Sequence, residues 1–341
     1  MEKQRFLNMD LMRYVLSTAV IVTHFNILTN ADILFPIGSG TAVGVFFGLS
    51  GFLVYGSYLK YPNFKSYLKS RAKRILPPYL FIVLLCAFGL AAISKCSMGE
   101  YFFSVEFWKY LLSNACFLNF VQPSLPGVFE DGVVNAVNGS LWTLKVEWAL
   151  YLSIPVFFWG VKKYKWNVPI AVIVISVFSF LYSLVMTKIS DALGNPLYYK
   201  LSYQFVGQLA YFYTGVLVYH FRERLINCKW WNSLALVASL CVFLEINPLG
   251  IDFTYVSFLC QMLWVFGALL FCLSRPVSQH TSKLGNVSYE MYLFHFPVIQ
   301  LLVYFGLDKS LPAYAAFLVA LLLIVALSVL FHKANKLILA G

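Results

Sequence analysis

The chain has 341 residues, of which 60% are hydrophobic and 11% charged, whereas a soluble globular domain runs at about 45–50% apolar and about 25% charged. That composition excludes a soluble domain and indicates a polytopic membrane protein. The net charge of +11 does not indicate nucleic acid, because the basic residues sit in short loops between apolar spans, where they set orientation.

Ten segments are apolar and long enough to cross about 30 Å of hydrocarbon: roughly 7–29, 41–59, 75–94, 140–161, 168–187, 200–220, 232–247, 254–273, 287–306 and 311–331. The expected fold class is all-α, one helix bundle of about ten transmembrane helices that fills 1–341 as a single membrane domain. Met1-Glu2-Lys3-Gln4-Arg5 precedes the first segment without a small-residue cleavage site, so a retained first helix is expected there. An eleventh stretch, 107–121, is shorter. If it crossed, the acidic loop with Glu130 and Asp131 would become cytoplasmic and Lys162-Lys163-Tyr164-Lys165 external, against the positive-inside rule, so it is expected to be re-entrant or to lie on the outer surface. With that choice 18 Lys and Arg face the cytoplasm and five face outward, namely Lys95, Lys109, Lys188, Lys200 and Lys309. Both termini are then cytoplasmic. Seven cysteines are scattered without C-x-x-C or Cys/His spacing, so no metal set is expected.

In the first segment Asp10, Arg13, Ser17 and His24 fall within an arc of roughly 60°, which makes one side of an apolar helix polar from end to end. Ionisable groups in a membrane helix face a bundle interior or a wet cavity and are functional candidates by default. The plain alternative is an Asp10–Arg13 pair that only holds helices together. His24, about 25 Å along the helix from Leu7, and Glu147, about 9 Å below the outer surface on the fourth span, come out at similar depth. On that fourth span Ser140, Thr143, Glu147 and Tyr151 share a face beside Trp142. A glutamate that accepts from one imidazole nitrogen would leave the other to remove a hydroxyl proton. The competing reading is a buried His–Glu pair without a substrate.

The second basic element, Lys65 to Arg74, precedes the third span on the cytoplasmic side. Taken alone it reads as a topology signal or an anionic-lipid contact. Together with Arg13 on the same membrane half, Arg71 and Arg74 would form a cationic entry for a phosphorylated ligand. In the second span Gly44, Gly48 and Gly51 make a small face for close helix approach, with Ser50 between the last two. In the ninth, Ser288, Tyr292 and His295 share a face, with Glu290 nearly opposite.

Five motifs in order then resemble the acyltransferase 3 family. They are Arg13-x10-His24, Gly44-Val45-Phe46-Phe47-Gly48-Leu49-Ser50-Gly51-Phe52-Leu53, Arg71-x2-Arg74-Ile75-Leu76-Pro77-x-Tyr79, Leu141-Trp142-Thr143-Leu144-Lys145-Val146-Glu147-x3-Tyr151-Leu152-x2-Pro155, and Leu284-Gly285-Asn286-Val287-Ser288-Tyr289-x2-Tyr292-Leu293-x-His295-x-Pro297. The resemblance implies an integral membrane enzyme, bacterial and in the inner membrane, that moves acetyl or related acyl groups from cytoplasmic acyl-CoA to a surface carbohydrate. It implies acetyl-CoA as donor substrate, no bound cofactor or metal, and contact with membrane lipid. By the same resemblance His24 and Glu147 match the essential pair, Arg13 its partner, and Arg71 and Arg74 the cytoplasmic arginines. Ser17, Ser50, Trp142, Thr143, Tyr151, Tyr292 and His295 are the expected substrate-pocket residues. The final span departs from the family by ending Phe331-His332-Lys333-Ala334-Asn335 without a Glu-Pro. No extracytoplasmic esterase-like domain is expected.

The reaction expected is O-acylation, in which His24 either deprotonates the acceptor hydroxyl directly or takes the acyl group transiently. The competing class is a transporter or flippase whose polar stripes line a passage for an anionic solute or a lipid-linked sugar. Against it, neither repeated halves nor matched broken helices are present.

Overall fold

The computed structural model describes residues 7–60, 63–225, 253–274 and 286–340. Fourteen helices lie in these residues: α1 (Leu7–Thr29), α2 (Ser39–Lys60), α3 (Phe64–Gly89, continued by a 3-10 turn at Leu90–Ile93), α4 (Met98–Phe103), α5 (Val105–Ala115), α6 (Trp142–Tyr164), α7 (Val168–Leu193), α8 (Pro196–Ser202), α9 (Phe205–His220), α10 (Arg222–Leu225), α11 (Phe253–Leu273), α12 (Ser288–Tyr304), α13 (Leu307–Ser310) and α14 (Ala313–Ala340). Seven of them are long and apolar enough to cross a membrane, α1, α2, α3, α6, α7, α11 and α14. With no strand among the described residues, this is an all-helical integral membrane protein. The expected span at 232–247 lies outside the described residues.

Two expected spans are not among the seven, 287–306, which gives the 17-residue α12, and 200–220. The segment 200–220 is broken at Tyr203, which ends α8, so that α9 has only 16 residues. The stretch 107–121 contributes α5, whose 11 residues rise about 16 Å, too little to cross about 30 Å of hydrocarbon. The short α4 before it starts on a capping box, in which Ser97 Oγ accepts from the Glu100 N–H and Glu100 accepts in return from the Ser97 N–H. Cys96 and Cys116 are both free thiols.

The chain divides into two compact units. Unit 1 comprises Met1–Leu16, Gly40–Leu68 and Val146–Gly285, and unit 2 comprises Ser17–Ser39, Lys69–Lys145 and Asn286–Gly341. In unit 1, α2 and α9 meet backbone to backbone. A Cβ on Gly51 would lie 1.9 Å from the Phe212 carbonyl oxygen, and one on Gly215 would lie 2.0 Å from that of Gly48. The small face of α2 therefore lets α9 approach backbone to backbone, as its spacing predicts. The start of α1 is tied to the end of α11 by Asn8, whose amide donates to the Phe271 carbonyl and to Ser274 Oγ, each at 3.0 Å.

In unit 2 the long segment 116–141 is stitched to the helices by side chains. Asn114 of α5 donates to the Gln122 carbonyl at 3.2 Å, and Gln300 donates to the carbonyls of Val134 at 2.7 Å and Ala136 at 2.9 Å. Phe331 of α14 packs against Phe294 of α12 and stacks on Phe81 of α3.

Interior prolines explain two further ties. Proline lacks an N–H, so a proline inside a helix leaves the carbonyl four residues earlier without its donor. Pro155 frees the Tyr151 carbonyl, which accepts from the Tyr67 hydroxyl at 2.8 Å. Pro297 frees the Leu293 carbonyl, which accepts from the Asn138 amide at 2.9 Å. Each proline thereby converts a lost helical bond into a specific contact with a distant segment.

Candidate active site

His24 lies in the last two turns of α1, within unit 2. Its Nδ1 is 3.1 Å from the Val20 carbonyl oxygen and 3.0 Å from Nε2 of His295 on α12. His295 is fully buried, and its Nδ1 lies 2.7 Å from the Tyr292 carbonyl oxygen. The acceptors assign the protons. A carbonyl oxygen only accepts, so His295 carries its proton on Nδ1 and presents Nε2 as a lone pair. His24 then donates from Nδ1, shared between Val20 and His295, and its own Nε2 is left unprotonated. Among the described residues that Nε2 has no hydrogen-bond partner. The edge of Phe296 covers the His24 ring, with centroids 5.3 Å apart. The arrangement is that of a general base with its tautomer fixed from behind.

The neighbouring ties hold α1 and α12 in register. Ser17 donates to the Ser288 carbonyl at 3.2 Å. Seven residues later on both helices come His24 and His295, so the two helices run parallel along this stretch. Thr143 and Tyr292 have their hydroxyls 2.7 Å apart, and both reach the Ser140 carbonyl, at 3.1 and 2.9 Å. Three of the expected pocket residues, Ser17, Thr143 and Tyr292, thus spend their hydroxyls on protein partners. Trp142 opens α6 and is half-buried. Lys145 sets its ammonium over the Phe120 ring, 4.7 Å from the centroid.

Glu147 belongs to unit 1. One carboxylate oxygen accepts from Ser50 of α2 at 3.3 Å and from Tyr151, one turn further along α6. Tyr151 is fixed at both ends, since its carbonyl is the one freed by Pro155. Arg13, also in unit 1, lies 3.5 Å from Asp10, and both side chains are largely buried. The cationic residues expected to act with it, Arg71 and Arg74, belong to α3 in unit 2. Arg71 is half-buried, with Nη2 at 3.4 Å from Ser70 Oγ, and Arg74 is exposed.

One pair escapes sequence reasoning. His332 of α14 has Nδ1 2.6 Å from the carboxylate of Glu290 on α12, which is buried. The signal for it is a glutamate in an apolar span, which needs a partner, and a histidine where the family pattern fails. Among the described residues no group of three or more His, Cys, Asp or Glu is placed to hold a metal ion.

An all-helical membrane protein with a half-buried, tautomer-fixed histidine is the class that this fold and site define. The chain belongs to the acyltransferase 3 family, whose sequence model, an acyltransferase domain, matches residues 6–333. It is similar to an O-acetyl transferase of Shigella phage Sf6, 25% identical over 300 residues that cover 86% of this chain and 85% of the phage protein. It is also similar to Nodulation protein 10 of Rhizobium leguminosarum bv. viciae, 24% identical over 329 residues that cover 88% and 84%. No solved structure matches the chain significantly.

Proposed function

We propose that this acyltransferase moves an acetyl group from cytoplasmic acetyl-CoA to a hydroxyl of a cell-surface polysaccharide or its lipid-linked precursor, in a bacterial inner membrane with both termini cytoplasmic. The observation that carries the reading is His24: its Nδ1 is engaged and its Nε2 is not. Nε2 takes the proton of the acceptor hydroxyl as that oxygen attacks the thioester carbonyl. The C–S bond breaks as the C–O bond forms, and the imidazolium returns its proton to the departing thiolate, which leaves as CoA. Within unit 2, Val20 and His295 hold the His24 ring by Nδ1. We therefore assign Glu147 to stabilising the imidazolium, with Ser50 and Tyr151 holding its carboxylate. Arg13, Arg71 and Arg74 receive the phosphates of CoA. Similarity to an O-acetyl transferase supports transfer to oxygen.

The test is acetyl-CoA thioester cleavage by the purified protein in lipid vesicles, with mass spectrometry of surface glycans from cells with and without the gene. Acceptor-stimulated release of CoA, together with an acetyl ester missing from the glycans of the deletion strain, is expected. Identical glycans and no thioester cleavage would refute the proposal.

A further inference from the structure

Unit 1 contains a second polar feature that the reaction above does not use. A cavity of about 200 Å³ lies among α7, α8, α9 and α11 and is lined by Tyr203, Tyr211, Phe258, Gln208 and Gln261, with Tyr199 at α8. Gln208 is only 5% exposed, yet among the described residues its side-chain amide has no hydrogen-bond partner. The same holds for the amide of Gln261 and for the hydroxyl of Tyr211, itself buried. These three polar groups open onto one cavity. By contrast Ser183 and Thr187, also in the wall, bond to backbone carbonyls, and the Tyr199 and Tyr203 hydroxyls bond to each other at 2.6 Å. Among the described residues no Lys, Arg, His, Asp or Glu lines the cavity.

Resting on the proposed O-acyl transfer, we propose that this cavity is the acceptor subsite and takes one neutral sugar ring. Aromatic faces pack on the C–H side of a pyranose, while the amides and the phenol hydrogen-bond its hydroxyls. A hydrocarbon chain would leave the Gln208 amide unpaired, and an anion would find no cation. Drug-sized ligands occupy about 300–1,000 Å³, so the cavity suits a single ring. It also borders, through Tyr211, the helix that carries Ser50. Tyr211 packs on Gly44 of α2, and Ser50, the partner of Glu147, lies six residues further along the same helix, a rise of about 9 Å.

The test is saturation-transfer NMR with the full-length protein in nanodiscs, using neutral disaccharides of glucose, galactose, mannose and rhamnose as probes and no acyl donor. Gln208→Leu keeps the volume and removes only an unpartnered amide, and Tyr211→Phe removes only a hydroxyl, so the fold is expected to survive both. At least one disaccharide should bind the wild type, and each variant should weaken it tenfold or more. If no disaccharide binds the wild type, or if both variants bind as the wild type does, the subsite is refuted. Because no donor is present, this result stands apart from the thioester assay that judges the transfer reaction itself.

Discussion

The bond between His295 and His24 makes the sharpest prediction, because the two nitrogens of His295 have separable tasks. Asparagine carries its amide nitrogen where Nδ1 lies, so His295→Asn keeps the bond to the Tyr292 carbonyl and loses the acceptor facing His24. Glutamine reaches the position of Nε2, so His295→Gln keeps an acceptor for His24 and gives up the bond to Tyr292. The bond to His24 is 3.0 Å. It contributes about 1 kcal/mol while His24 is neutral and about 1.5–3 kcal/mol once the ring is an imidazolium. Only the excess counts toward the chemical step, about 0.5–2 kcal/mol, which lowers kcat roughly 2- to 30-fold. His295→Asn should show that loss with an unchanged KM for acetyl-CoA, and His295→Gln should recover most of it. The assay is acetyl transfer from labelled acetyl-CoA to purified surface polysaccharide, at matched amounts of folded protein. Equal rates for the wild type and the Asn variant, or equal losses in both variants, would show that His295 serves packing and does not position the base.

Other parts of the molecule give three more expected outcomes. Gly51→Ala sets a methyl group 1.9 Å from the Phe212 carbonyl oxygen, where ordinary contact begins at 3.4 Å; the overpacking should cost about 1–3 kcal/mol and lower the thermal unfolding midpoint in detergent, and an unchanged midpoint would mean that α2 and α9 yield freely. With the native cysteines replaced, single cysteines at 131 and 309 should react with an impermeant reagent outside intact cells and one at 163 should not; labelling at 163 would overturn the proposed orientation. Arg71→Ala and Arg74→Ala should raise the KM for acetyl-CoA more than they lower kcat, and an unaltered KM in both would return these arginines to topology or lipid contact.

Much of the fold is legible in the sequence because lipid imposes a simple rule on length and hydropathy, which α1, α2, α7 and α14 obey. The break at Tyr203 is not legible in the sequence, and it is tertiary bonds that mark the change of direction, from Tyr182 to the Leu201 carbonyl and from Ser183 to the Ser202 carbonyl. The polar stripe of α6 places Tyr151 one turn from Glu147, and the structure joins them. Ser50 cannot be paired with Glu147 from sequence, because helical spacing says which residues share a face and nothing about which helix that face meets. The partnership of His295 with His24 is hidden for a different reason. Counting depth from the membrane surface treats every span alike, whereas α12 begins at the level of Ser17, ten residues into α1 and so about 15 Å along it. With that offset His295 comes level with His24. Gln208 leaves no sequence signal at all, since an amide in an apolar span is unremarkable until its hydrogen bonds are counted.

The central claim is that His24 is the base, and His24→Ala tests it most directly. Acetyl transfer from labelled acetyl-CoA to the surface polysaccharide should fall to background while the variant is made, inserted and folded at wild-type level. If His24→Ala transfers acetyl groups at a rate near that of the wild type, the assigned chemistry is contradicted and the histidine pair is a packing element of unit 2.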